Sequence, residues 1–270
     1  MLKRTSSILI YKVLPLILAS AGIACSPTRR LSEGEYLLDK SQIEIKAKEI
    51  DKGDLEAYRK QNPNKTILGI KFHLFVYNLA NPNKEKGLSN WLRKIGEEPI
   101  VYNPVLTERT TEQFKRYLEV KGFYENVVYD SVKLDKNKAT VSHYVELNEP
   151  HRLATIRYEF EDQGLTDFIY NDTTNSLIHK GDRFDKEILQ RERERVEKVL
   201  KNQGFYRFSK EFIFYEAFER GNSKKVDLTI IFKENIAGRP DPITKVKRHE
   251  RYKIHSTSIF PEYDQSGSAG

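Results

Sequence analysis

Lys121-Gly122-Phe123-Tyr124 returns 82 residues later as Gln203-Gly204-Phe205-Tyr206, and this repeat decides the fold. In each copy the glycine closes a helix-like stretch and the aromatic pair opens a strand-like one. Before the first copy, Leu106, Thr110, Phe114, Tyr117 and Leu118 fall on one helical face, with Asn103 as N-cap and Pro104 at the first helical position. Before the second, Asp185 caps a stretch carrying Ile188, Leu189, Val196, Val199 and Leu200. Glycine suits the end of both because the left-handed backbone that stops a helix is costly for any residue with a β-carbon.

Each copy leads into two segments joined by a turn. In the first, residues 125–134 run through Asp135-Lys136-Asn137-Lys138 to Ala139, Val141, His143, Val145 and Leu147 on one face. In the second, Phe212, Phe214 and Phe218 run through Gly221-Asn222-Ser223 to Val226, Leu228, Ile230 and Phe232. Such alternation predicts one buried face and one wet face. An isolated strand precedes each helical region, at residues 36–45 and 153–160. The order is therefore strand-helix-helix-strand-strand, an α+β unit whose three-stranded sheet carries two helices on one face.

These units divide the chain into residues 36–150, which hold an insertion, and residues 151–235. Residues 236–270 read as a linker and, at 251–260, the first strand of an incomplete third unit. Within the insertion, residues 54–61 predict a short helix ended before Pro63. Residues 67–79 are an apolar run that fits helix and strand templates equally; 13 residues cannot span a bilayer, so a buried core element is expected.

The N-terminus has a different character. A basic start, Met1-Leu2-Lys3-Arg4, leads through apolar residues 8–18 to Ala19-Ser20-Ala21-Gly22-Ile23-Ala24-Cys25. This is the pattern of a bacterial export signal over residues 1–24, too short for a membrane span and removed on export. Cys25 is the only cysteine of 270 residues, so no disulfide can form within the chain. Its place, where the small residues end, marks it as the site of lipid attachment. Ser26 follows, with no aspartate there to direct retention in the inner membrane. Residues 25–35 then read as a lipidated tether. Losing residues 1–24 removes Lys3, Arg4 and Lys12 and no acid, which takes the formal charge from +7 to +4. The remaining charges alternate in sign and form no basic stripe with interleaved aromatics, which argues against nucleic-acid binding.

The sequence carries no recognisable catalytic or metal-binding pattern. His73, His143, His151, His179, His249 and His255 are scattered without ligand spacing, and His143 reads as a hydrogen-bonded histidine at the edge of a core. Glu97-Glu98 and residues 191–195 read as solvated charge, with Glu187–Arg191, Glu194–Lys198 and Glu197–Lys201 spaced for helical ion pairs. No nucleophile motif or phosphate loop stands out, so neither a cofactor nor an enzymatic activity is expected.

The repeated unit, with Gly-Phe-Tyr between its second helix and second strand, resembles the POTRA domain that precedes the β-barrel in the BamA/TamA family of outer-membrane assembly factors. Cys25-Ser26, the tether and Glu33-Gly34-Glu35-Tyr36-Leu37-Leu38 look like the lipoprotein form of the translocation and assembly module, the TamL type. Asn62-Pro63-Asn64-Lys65, Ile67-Leu68-Gly69 and Gly96-Glu97-Glu98-Pro99 fit that form too. The resemblance covers residues 25–260. It implies a barrel that these 270 residues do not contain, so the sequence is either a fragment of a longer product or a short form that borrows a barrel.

The resemblance further implies that the second strand of each unit is an exposed edge that takes up extended polypeptide by strand addition. That places candidate docking residues at Glu125, Val127, Tyr129, Ser131 and Lys133, and at Glu211, Ile213, Tyr215 and Ala217. The implied partners are outer-membrane protein precursors, a periplasm-spanning translocation partner, and the β-barrel of the same or another chain. The implied location is the outer membrane, by its lipid, with the domains in the periplasm. The competing reading is a stand-alone envelope lipoprotein that binds a glycan or a protein; the single Trp91 gives the glycan little support. Cys25→Ala is expected to abolish fatty-acid labelling and to release the protein from the membrane fraction. Labelling that persists in the variant would overturn the anchor.

Overall fold

The structure, a computed structural model, describes residues 27–259, so the export segment, Cys25 and Phe260 lie outside the described residues. The described residues divide into two compact units, one of residues up to 119 with 125–148, the other of residues 120–124 with 149–259.

The first unit contains β1 (Leu37–Ile45), α1 (Lys52–Glu56), α2 (Phe72–Leu79), α3 (Leu88–Ile95), α4 (Pro104–Val120), β2 (Val127–Asp135) and β3 (Lys138–Glu146). The sheet order is β1-β3-β2, with β1 parallel and β2 antiparallel to β3. Lys136 and Asn137, at φ 46° and 60°, make the two-residue turn between β2 and β3, whose hand matches the twist of the strands. On β3 the expected alternation holds: Ala139, Val141, His143 and Val145 are buried. They meet α4, whose start is fixed by Asn103 accepting from the Val105 amide at 2.9 Å. Phe114 of α4 stands edge-on to His143, with ring centroids 5.3 Å apart. Phe114 and Leu118 are fully buried, each stabilising by roughly 2 kcal/mol.

The insertion departs from expectation in two places. The short helix covers only Lys52–Glu56, capped by Asp51. The apolar run splits: Leu68 (φ 49°) and Gly69 (φ 80°) form a tight turn in which Ile67 and Ile70 exchange backbone hydrogen bonds. Ile67, Leu68 and Ile70 are exposed. Only the second half is a core element, α2, which buries Leu74 and Val76. The tether also touches this helix: Asn78 donates to the Pro27 carbonyl at 3.4 Å, and Arg30 bonds the Ala80 carbonyl while lying 4.7 Å over the Tyr77 ring.

The second unit contains β4 (Arg152–Phe160), α5 (Thr166–Asp172), α6 (Lys186–Asn202), β5 (Ile213–Glu219) and β6 (Lys225–Phe232). Its order, β4-β6-β5 with β4 parallel to β6, repeats the first sheet. The expected strand-helix-helix-strand-strand sequence is thus the one observed. Asp185 caps α6 through the Glu187 and Ile188 amides. Leu200, Phe205, Phe208, Leu228 and Phe232 are at the heart of one apolar cluster.

One face assignment is corrected. Phe214 and Phe218 do not line the core; they are 49% and 72% exposed, while Ile213 is buried. Pairing decides this, because Ile213, Tyr215 and Ala217 sit opposite Phe232, Ile230 and Leu228 and share their face. A second correction concerns the charged run on α6. Glu192 is buried, and its carboxylate accepts from Arg195, the Ser176 hydroxyl and the Leu177 amide. Burial works against its charge, but these donors, Arg195 first, hold its pKa below the usual carboxylate range. Of the three expected helical pairs, Glu197–Lys201 forms at 2.6 Å, while Glu187 meets Lys121 and Glu194 meets Lys210.

Both repeated glycines have positive φ, 88° at Gly122 and 99° at Gly204, and both are crowded. A β-carbon at Gly122 would stand 2.8 Å from the Phe184 carbonyl oxygen, and one at Gly204 2.7 Å from that of Tyr252. Each turn receives the start of the next segment: the His151 amide donates to the Gly122 carbonyl at 2.8 Å, and the Tyr252 amide to the Gly204 carbonyl at 2.7 Å. Residues 251–259, expected as a strand, pair with neither sheet and are exposed. Before them the chain folds back, with the His249 amide on Asp162 at 2.6 Å. Gly204→Ala is expected to lower the stability of the second unit by about 1–3 kcal/mol in chemical denaturation, from strain and the close carbonyl together. Gly221→Ala, at a positive φ with open space around it, is expected to lower it less.

Candidate functional site

Each sheet has two edges, and in both units the first-strand edge is partly capped. Ile100 and Tyr102 pair with β1 and the residue before it, through Leu38 N–H to Ile100 O and Tyr102 N–H to Tyr36 O, both at 2.7 Å. Residues 181–184 do the same for β4, with Leu153 N–H to Asp182 O at 2.9 Å and Gly181 N–H to Leu153 O at 2.8 Å. Among the described residues no backbone segment pairs with the outer side of β2 or β5. These are the open edges.

Which main-chain groups face outward follows from the ladder. In antiparallel pairing, residues alternate between exchanging both hydrogen bonds with the partner and pointing both groups away. Arg220 donates to Lys225 at 2.9 Å and Lys233 to Phe212 at 2.8 Å. The register then turns Phe214, Glu216 and Phe218 inward. Tyr215, Ala217 and Glu219 present N–H and C=O to the outside. In the first sheet, Leu37 donates to the Asn137 carbonyl, so the odd residues of β3 serve β1 and the even ones serve β2. Their partners Val127, Tyr129, Ser131 and Lys133 therefore spend their amides inside the sheet. The outward positions are Val128, Asp130, Val132 and Leu134.

The expected docking residues accordingly separate. Glu125 precedes β2, and its carbonyl accepts from the Asn148 side chain at 2.7 Å. Glu211 lies in a 3-10 turn, Lys210–Phe212, and the Ile213 amide is used by that turn. Val127, Tyr129, Ser131 and Lys133 lie on the edge strand but offer side chains only. Tyr215 and Ala217 alone combine an edge strand with an outward backbone.

Side chains hold these edges in place. The Tyr215 phenol donates to the Leu189 carbonyl at 2.9 Å, pinning β5 beneath α6, and burial pushes its pKa well above the usual tyrosine range. In the first unit the Thr111 hydroxyl donates to Asp130 at 3.0 Å and lies 3.2 Å from Nδ1 of His143. Burial lowers the His143 pKa, against the pull of Asp130, so the imidazole is neutral near pH 7. This contact ties α4 to β2 and β3. Val127 and Tyr129 are half exposed on the open face, where Tyr129 stacks on Tyr144 at 5.0 Å. No group of three or more His, Cys, Asp or Glu side chains gathers to hold a metal ion among the described residues. The arrangement offers hydrogen bonding and apolar contact to an extended chain.

The outward parity of β2 was missed at the level of sequence, although a two-residue turn at Lys136-Asn137 carries it: such a turn is closed by a hydrogen-bonded pair. The roles of Tyr215 and Glu192 left no mark in the sequence.

No family model matches the chain, and no curated protein does. Among solved structures it is similar to BamA from Haemophilus ducreyi lacking POTRA domains 1–3, at 16% identity and a TM-score of 0.32, over 52% of this chain and 25% of that one. The chain thus spans a quarter of the length of that BamA structure. It is also similar to POTRA1-2 of the periplasmic domain of Omp85 from Anabaena, at 13% identity and a TM-score of 0.28, over 74% of this chain and 98% of that one. A third similarity is to POTRA3-5 of BamA from Haemophilus influenzae, at 13% identity and a TM-score of 0.27, over 76% and 100% of the two chains.

Amide hydrogen exchange tests the edge assignment directly. Tyr215 and Ala217 are expected to exchange well before Phe214, Glu216 and Phe218, and Val128, Asp130 and Val132 before Tyr129, Ser131 and Lys133. Uniform protection along β5 would mean that the edge is covered.

Proposed function

We propose that this chain is the periplasmic docking region of an outer-membrane protein assembly or translocation factor of the POTRA-bearing BamA/TamA kind. It is anchored by a lipid on Cys25, as the TamL type would be, and it binds extended polypeptide by strand addition without catalysing a reaction. The observation that carries the reading is the open edge of β5, where Tyr215, Ala217 and Glu219 turn unpaired main chain outward while the edge of β4 is capped.

An edge of this kind reads backbone and not sequence, which suits an unfolded client. Precursors of outer-membrane barrels supply such strands, because they alternate apolar and polar residues over about ten positions. Phe214 and Phe218 on the open face would meet the apolar side of the incoming strand. A periplasm-spanning partner could dock by the same chemistry, and a barrel of the same or another chain would receive the client.

The test is a proline at Ala217, whose amide is not used by the sheet and whose loss leaves the fold intact. Ala217→Pro is expected to weaken binding of labelled barrel-strand peptides by roughly two- to tenfold, the worth of one hydrogen bond, with thermal stability nearly unchanged. Glu216→Ser alters an exposed side chain and is expected to bind like the parent. Equal binding by both variants, or NMR shifts confined to α5 and α6, would overturn strand addition.

A further inference from the structure

The helix α3 leaves most of its apolar side chains exposed. None of its residues is buried, and its three outward apolar side chains, Leu88, Trp91 and Ile95, are 70%, 55% and 43% exposed. Spaced at i, i+3 and i+7, they form one stripe. The side turned toward the protein carries one half-buried apolar residue, Leu92, and otherwise polar groups: Ser89 accepts from the Asn81 amide at 3.1 Å, and Arg93 bonds the Lys84 carbonyl. An eight-residue helix, about 12 Å long, thus shows water its apolar side.

The surroundings indicate what covers it. Lys84, Lys86 and Lys94 are exposed beside the stripe, and Glu85 is the one acid between residues 84 and 95. The next acids are engaged: Glu97 accepts from the Lys65 amide at 3.0 Å and Glu98 from the Tyr77 hydroxyl at 3.0 Å. A short helix with Trp, Leu and Ile on one side and lysines at its margin fits the surface of a bilayer holding anionic lipids.

Chain continuity points the same way. Pro27 and Arg30 are bound to the C-terminal end of α2, at Asn78 and Ala80, and the Asn81 amide that follows is bound to Ser89 of α3. Cys25 stands two residues before Pro27, a reach of about 7 Å of chain. A lipid there would hold its membrane close to this end of the insertion.

We propose that Leu88, Trp91 and Ile95 of α3 lie on the anionic surface of the membrane that takes the Cys25 lipid, as a second, non-covalent contact. This rests on the anchor reading for which membrane is met, but the face can be tested without the lipid. Trp91 is the only tryptophan, so its emission reports on α3 alone. Residues 25–270 carrying Cys25→Ala are mixed with vesicles of phosphatidylethanolamine and phosphatidylglycerol, and separately with pure phosphatidylcholine. The expected result is a blue shift of Trp91 emission and co-sedimentation with the anionic vesicles, and little of either with phosphatidylcholine. Leu88→Ser with Ile95→Ser is expected to weaken that binding about tenfold or more with an unchanged circular dichroism spectrum, since neither side chain is buried. Unshifted Trp91 emission on anionic vesicles, or binding that survives the double substitution, would overturn the proposal. So would a blue shift that arises only with an added envelope protein, which would make the occupant a protein. Fatty-acid labelling at Cys25 that fails while the emission still shifts would sink the anchor and leave the face standing.

Discussion

The parallel pairing of the first strand with the last governs each unit. Parallel strands cannot be joined by a tight turn, so the chain must cross over, and in both units the crossover is helical and covers the sheet. The last strand then takes the centre, between β1 and β2 in one sheet and between β4 and β5 in the other. The hairpin strand has nowhere to go but the edge. That β2 and β5 are left as edge strands is thus a consequence of topology.

The glycine turns couple this topology to the repeat. At Gly122 and Gly204 the helix must end in a left-handed residue, and the carbonyls of Phe184 and Tyr252 come within 2.8 and 2.7 Å of the missing β-carbon positions. Two requirements, a positive φ and a close approach, fall on one residue, and only glycine meets both. The same turn then accepts the amide of the segment that follows, His151 in one case and Tyr252 in the other. Tyr252 therefore takes the place at Gly204 that His151 holds at Gly122 one repeat earlier, although no strand forms beyond it.

Buried polar groups fix the helices over the sheets. His143 is held neutral by burial and shares the Thr111 hydroxyl with Asp130. Glu192 stays charged despite burial because Arg195, Leu177 and Ser176 all donate to it. Its lowered pKa means that its contribution to stability is present above the usual carboxylate range and is lost as pH falls through the folded value. The second unit therefore carries an acid-sensitive contact between α6 and the segment around Ser176. Arg195 also bonds Asp172 at the end of α5, so one guanidinium joins both helices.

The sequence by itself determined the strand-helix-helix-strand-strand order of the second unit, the repeat, the helix caps at Asn103 and Asp185, and the buried faces of β3 and β6. Each rests on local chemistry: periodicity, a capping side chain, a residue without a β-carbon. Tertiary structure alone decided that Phe214 and Phe218 face outward, because the side of a strand that is buried depends on which residue of the neighbouring strand it meets. It also decided that Glu192 is buried while Arg191 and Glu194 are exposed, that residues 67–79 divide into an exposed turn and a core helix, and that Ala217 and not Val127 turns its amide away from the sheet. Burial and pairing are relations between distant segments, and no single stretch of sequence contains both sides of them.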